Sequence, residues 1–225
     1  MLVCLMQHLL LLPIVFLFFQ RTQLALELLA KSDLLFQKIK KIITSKKIDV
    51  VVFEDYDKGV ITTSLIKDVV ELCNEKNIPT TVDPKKRNFL DYKNVTLFKP
   101  NLKELKEGLN IEIDAKKISE IKKAIQLLNK NLNSLITLIT LSENGIYSYS
   151  KNQQLHIPAH IRTIADVSGA GDTVISVAAL CLALKQDEET IAKIANLAGG
   201  LVCEKVGVVP IDKKILLSES LLKLI

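Results

Sequence analysis

Apolar positions along this chain follow two periods, and the alternation between them predicts an α/β architecture. Leu24, Leu28, Leu35, Ile39, Ile42 and Ile43 fall at near-helical spacing with lysines between them, the pattern of an amphipathic helix. Asp49-Val50-Val51-Val52-Phe53 is a continuous β-branched run, as expected of a strand buried on both faces. Thr62, Thr63 or Ser64 can cap the next helix, which runs to about Lys76 with Asn77 as its stop. Residues 78–82 and 95–98 predict two more strands, and 135–141 is the most strand-like segment of all. Between them, Asp114 is placed to cap a helix carrying Ile118, Ile121, Ile125 and Leu128 on one face. Ser142-Glu143-Asn144-Gly145 then turns into an antiparallel strand at 146–149, and Lys151-Asn152-Gln153 turns into 155–158. Helices follow Gly171 and Asp187, and an amphipathic helix over 211–225 closes the chain. Strand–helix–strand units with short links imply a mostly parallel sheet.

Polar residues cluster where these strands end. Residues 55–58, 83–87 and 101–104 form three such clusters in phase, which predicts one rim, at the strand ends where open α/β sheets bind ligands. A fourth stretch, Asp166-Val167-Ser168-Gly169-Ala170-Gly171-Asp172-Thr173, precedes the apolar run Val174, Ile175, Val177, Ala178, Ala179, Leu180. It predicts a tight loop opening a buried helix, with glycines exposing backbone N–H groups at a positive helix end. That combination suits an anion such as phosphate. Asp172 falls in the first turn, where a carboxylate can take a proton from an attacking hydroxyl. No Lys-Ser or Lys-Thr follows the glycines, so the loop is not a Walker A motif, and Val174 stands where a dinucleotide fingerprint needs glycine. A plain glycine turn capped by an aspartate remains the structural alternative, as a capping pair does for Asn101 and Glu104.

Composition narrows the rest. At 225 residues and 48% apolar, the chain suits one globular domain. With 5% aromatics and no Trp, it has little material for stacking on nucleic-acid bases. The net charge of +5 is spread over helix faces, with clusters such as 38–41, 46–47 and 85–87; the last follows a strand end, where it would meet an anionic ligand. Cys4, Cys73, Cys181 and Cys203 are isolated, as in a reducing, cytoplasmic setting. His8, His156 and His160 form no ligand pattern, and His156 reads as a surface strand position. Residues 1–23 are set apart as an apolar segment. Gln7 and His8 interrupt it before it reaches the ~20 residues of a spanning helix, and it has no basic start or small-residue cleavage site. It reads as a stretch outside the fold sooner than a membrane anchor or a partner-buried element.

The stretch 166–173 resembles the C-terminal signature of the ribokinase-like (PfkB) carbohydrate kinases. The resemblance implies a three-layer α/β fold over residues 24–225, ATP and Mg²⁺ as cofactors with a monovalent cation as a further candidate, a small sugar substrate, and a candidate homodimer. It makes Asp172 the catalytic base and the amides of Gly169, Ala170 and Gly171 the anion hole. Asn101 and Glu104 of Pro-Asn-Leu-x-Glu would lie by the ATP phosphates, with Glu104 holding Mg²⁺ through water. Thr140, Ser142 and Gly145 occupy a phosphate-touching turn, and the Asn196 helix lies along adenine and ribose. Lys99 departs from an Asn common in the wider family. Asp-Tyr-x-Lys-Gly at 55–59, Val-Asp-Pro-Lys at 82–85 and the run 169–177 resemble those members that phosphorylate D-glycero-D-manno-heptose 7-phosphate at its anomeric oxygen, for ADP-heptose and lipopolysaccharide synthesis. Asp55, Lys58, Asp83 and Lys85 are the implied substrate or phosphate rim. The resemblance starts near Asp49. The family's first strands and β-lid are not recognisable before Leu24, nor is a nucleotidyltransferase His-x-Gly-His anywhere. Another sugar kinase of the same family, or a fragment that at most binds nucleotide, are the alternatives.

Overall fold

The computed structural model describes residues 32–114 and 117–223; the apolar segment 1–23 lies outside them. The elements run α1 (Ser32–Ser45), β1 (Val51–Glu54), α2 (Thr63–Glu75), β2 (Thr80–Asp83), β3 (Leu97–Phe98), α3 (Leu102–Leu109), α4 (Ile118–Leu132) and β4 (Ile136–Thr140). They continue with β5 (Ile146–Ser150), β6 (Gln154–Ile157), α5 (Ala170–Ala183), α6 (Glu188–Val202) and α7 (Lys213–Lys223). Among the described residues the sheet has the order β1-β2-β3-β4-β5-β6. The first four strands are parallel, and β5 and β6 add antiparallel at one side. This is the mostly parallel α/β architecture expected from the alternating periods.

The β-branched run explains why the sheet sits between two layers. Val51 and Phe53 point into a cluster with Ile39, Ile43, Leu65, Val69, Ile121 and Leu128 from α1, α2 and α4. Val50 and Val52 point the opposite way, to Val174, Ile175, Ile191, Ile194, Leu197 and Leu216 from α5, α6 and α7. A strand with both faces covered needs no polar alternation, and these four valine and phenylalanine side chains are fully buried.

Several boundaries depart from the sequence reading by a few residues, among them those of β1, β3 and α4. β1 begins at Val51, not Asp49, and runs on to Glu54. β3 is cut to two residues because Thr80 and Thr96 bond each other's backbone N–H through their hydroxyls, at 3.0 and 3.2 Å. Helix α4 starts at Ile118 with Lys117 as its N-cap and no side-chain cap bond, so Asp114 does not hold that position. Elsewhere the caps are as read: Thr62 Oγ1 accepts from Leu65 N–H and Asp187 from Thr190 N–H. The described cysteines, Cys73, Cys181 and Cys203, are buried and free. His156 is exposed and hydrogen-bonds the Asn144 carbonyl at 2.8 Å. No helix of the described residues is long and apolar enough to cross a membrane.

The hairpin between β4 and β5 depends on one glycine. Gly145 has φ 83° and ψ −136°, and a Cβ there would stand 2.1 Å from the Ile157 carbonyl oxygen and 2.5 Å from Ala159 N. Backbone strain and overpacking add. Gly145→Ala is expected to cost about 3 kcal/mol, seen as a drop in Tm of roughly 6–12 °C. An unchanged melt would show that the turn can relax.

Candidate active site

Parallel strands deliver their C-terminal ends to one edge, and the site is built there. Glu54 closes β1 directly opposite Asp83, which closes β2. The first turn of α5 brings Asp172 over the same edge, and carboxylate oxygens of all three residues lie within 4.8 Å of one another. Glu54 and Asp83 are buried, at 5% and 6% exposure, whereas Asp172 is exposed. Lys99, buried just beyond β3, sits 3.0 Å from Asp83 Oδ2 and donates to the Gly171 carbonyl at 3.3 Å. Residue 171 is glycine at the point where a Cβ would lie 3.3 Å from that ammonium.

Burial raises the Glu54 carboxyl to about 8, helped by the neighbouring charges of Asp83 and Asp172 and opposed by Lys99 and Lys85. An acid held protonated near neutrality by desolvation and like charge is a mark of functional sites. The Tyr56 phenol is likewise raised, first by burial and then by Asp172 and Glu54. Lys85 bonds Glu104 and lies 3.9 Å from Asp83 Oδ1. Burial alone would lower its ammonium, but Asp83 and Glu104 outweigh that and hold it above its usual value.

The glycine loop forms as its composition demands. Gly169 takes φ 79° as the N-cap of α5 and gives the helix no side-chain cap. Ala170 N–H donates to the Val167 carbonyl at 3.3 Å, a long bond, and the amides of Gly171 and Asp172 have neither an intrahelical acceptor nor a capping side chain, which suits an anion. Asp166 fixes the approach: Oδ1 accepts from Ser168 N–H at 2.9 Å and Ser168 Oγ–H at 2.8 Å, and Oδ2 accepts from Gly207 N–H at 3.0 Å. Those bonds, led by the Ser168 amide, hold its carboxyl below the ordinary range. Upstream, the side chain of Arg162 is buried and pairs with Glu204 at 2.9 Å and Glu219 at 2.7 Å.

Most of the residues singled out in the sequence converge on this edge. Asn101 and Glu104 form a reciprocal capping box on α3, and Asn101 bridges in parallel to Thr140. Ser142, at φ 51°, and Gly145 follow in the next turn. Asp83 and Lys85 lie among the carboxylates just described. Three residues are placed otherwise. The buried Asp55 uses both oxygens on the protein, accepting from Asp57 N–H, Asn88 Nδ2–H and Tyr92 Oη–H at 2.8, 2.9 and 2.8 Å. Lys58 is exposed, at a cavity of about 580 Å³ shared with Thr62, Thr63 and Arg87. Asn196 is buried and donates to the Pro158 carbonyl at 2.8 Å, joining α6 to the end of β6. Two residues that the sequence reading did not single out for the site, Glu54 and Lys99, lie at its centre. An acid directly ending a fully buried β run was the available signal for Glu54.

An acid in the first turn of an uncapped helix, over the strand ends of an α/β sheet, is the layout of a phosphotransferase. Residues 20–214 match the model of the pfkB family carbohydrate kinases, and the chain belongs to that family. It is 38% identical over 162 residues to the bifunctional protein HldE of Campylobacter curvus, covering 72% of this chain and 34% of that protein. The HldE of Campylobacter concisus is 40% identical over 158 residues, covering 70% and 33%. The chain thus spans about a third of the length of these relatives. In fold it resembles Escherichia coli phosphofructokinase-2 in complex with potassium, with a TM-score of 0.72 at 16% identity over 82% of this chain and 61% of that one. Arabidopsis thaliana ribokinase complexed with ribose and ATP gives 0.66 at 18% identity, covering 76% and 55%.

Proposed function

We propose that this carbohydrate kinase transfers the γ-phosphoryl group of ATP to the anomeric oxygen of D-glycero-D-manno-heptose 7-phosphate, in ADP-heptose and lipopolysaccharide core synthesis. The observation that carries the reading is the exposed Asp172 carboxylate beside the uncapped amides of α5. Asp172 accepts the hydroxyl proton as the sugar oxygen attacks phosphorus. The amides of Gly169, Ala170 and Gly171 hold the charge that develops on the transferred group. Lys99, fixed between Asp83 and the Gly171 carbonyl, keeps the strand edge and the loop together. Mg²⁺ bound with the nucleotide neutralises phosphate charge, and the acidic groups of this rim would hold it. Potassium, present in the phosphofructokinase-2 complex, is the candidate monovalent ion.

The heptose acceptor is supported by the motifs at 55–59, 82–85, 100–104 and 169–177 and by the likeness to the HldE proteins. Its test is a panel of sugar phosphates with Mg·ATP, following ADP release and identifying the product by mass. The heptose phosphate is expected to exceed fructose 6-phosphate and ribose by ~100-fold in kcat/KM. Preference for another sugar would leave the kinase class and replace the acceptor. A Mg·ATP-dependent rise in melting temperature with no turnover on any sugar would reduce the chain to a nucleotide binder.

A further inference from the structure

Asp55 gives nothing to the catalytic edge, and its partners show what it does instead. Asn88 donates from Nδ2 both to Asp55 Oδ2, at 2.9 Å, and to the Ile61 carbonyl, at 3.0 Å. Asn88 is 4% exposed, and it thereby clamps both ends of the loop 55–61 to the turn that follows β2. Tyr92 adds a second bond to Asp55 Oδ2 at 2.8 Å. Buried, partnered polar groups of this kind fix a local shape. The shape fixed here is the recess of about 580 Å³ that Lys58, Thr62, Thr63 and Arg87 line.

The cations of this recess are not spent. Lys58 is exposed and makes no ion pair among the described residues. Arg87 reaches Asp57 Oδ1 through Nε at 2.8 Å, without the alignment of a hydrogen bond. Its two terminal nitrogens have no partner among the described residues, and a planar guanidinium with free donors matches phosphate bidentately. Helix α2 starts on the same recess, with Thr62 as its N-cap. The amides of Thr63 and Ser64 have no intrahelical acceptor there, and the helix end adds partial positive charge. Asp57 is the one acid among the described lining residues, so a phosphate dianion balances the recess.

We infer that this recess binds the phosphate monoester at the far end of the acceptor, with Arg87 and Lys58 as the residues that select phosphorylated sugars. The assignment rests on the proposed reading of the chain as a kinase of sugar phosphates. Its placement fits that role. Lys58 follows the end of β1 and Arg87 the end of β2, and Asp172 stands over the same two strand ends. Helices α2 and α5 pack on opposite faces of the sheet. A sugar phosphate lying across the strand ends thus presents its hydroxyl to Asp172 and its phosphate to the recess. Asp55 is then a positioning residue, acting through Asn88.

The test uses the full chain with Mg·ADP, so that nothing turns over, and reads binding by isothermal calorimetry. The probes are D-glycero-D-manno-heptose 7-phosphate, fructose 6-phosphate and ribose 5-phosphate, each beside the same sugar without its phosphate. At least one ester is expected to bind roughly tenfold or more tighter than its bare sugar. Arg87→Gln and Lys58→Gln should each lower the affinity for that ester by roughly tenfold and leave the binding of Mg·ADP unchanged. Both side chains are exposed, so the two variants should melt with the unsubstituted chain. Lys123→Gln removes the same charge from an exposed position of α4 and should change nothing. A phosphate preference kept in both recess variants would overturn the inference. An equal loss in Lys123→Gln, or no binding of any ester at millimolar concentration, would do so too. Binding of another ester in place of the heptose, lost in the recess variants, would replace the proposed acceptor and leave the recess its role.

Discussion

Replacing Asp172 with asparagine is expected to lower phosphoryl transfer by roughly 10³-fold, within the range for loss of a positioned general base, while nucleotide binding survives. The side chain is exposed in the first turn of α5, so the change empties no core volume. The loss of one negative charge near a helix N-terminus costs the fold only about 0.3–1 kcal/mol. The amides of Gly169, Ala170 and Gly171 stay in place. The check pairs ADP release with the shift in melting temperature given by Mg·ATP. Transfer at the unsubstituted rate would remove the proton acceptor from the mechanism; a lost Mg·ATP shift would instead make Asp172 part of nucleotide binding.

The second large effect concerns pH. In metal-free protein the Glu54 carboxyl is raised from 4.5 to about 8. Below pH 4.5 it is protonated in both folded and unfolded chains and contributes nothing to the difference. As pH rises above 4.5 the unfolded chain ionises freely while the folded chain must either keep its proton or bury a charge. Stability is therefore lost between about pH 4.5 and 8 and levels off above, by at most ~5 kcal/mol. Asp83 and Asp172 face the group and add to the loss; Lys99 and Lys85 reduce it, and the Tyr56 phenol stays neutral over this range. Denaturant unfolding in EDTA at about pH 5.5 and pH 8.5 measures the slope, and Glu54→Gln subtracts all other titrations from it. A slope identical in the two proteins would show that Glu54 ionises normally.

The fold was legible because its signals are local. A β-branched run such as 50–53 and the capping box of Asn101 and Glu104 need only near neighbours. The glycine loop was legible for the same reason: Gly169, Gly171 and Asp172 are adjacent in sequence, and their geometry follows from helix-end chemistry. Glu54 and Lys99 were not, because what they do is set by distant partners. Glu54 matters only once strand register puts it opposite Asp83, and Lys99 only once α5 returns across a separation of 72 residues. Asp55 shows the same dependence on distant partners. Its position at a strand end is that of a ligand group, yet Asn88 and Tyr92, more than thirty residues on, consume its carboxylate.

Arg162, Glu204, Glu219, Asp166 and Gly207 together lace the peptide leading into the glycine loop, the proposed phosphate cradle, to the final helix and the segment before it. Shortening the chain before Glu219, or crowding that helix with a fused tag, thus reaches the cradle through salt links and one amide, without touching a glycine of it.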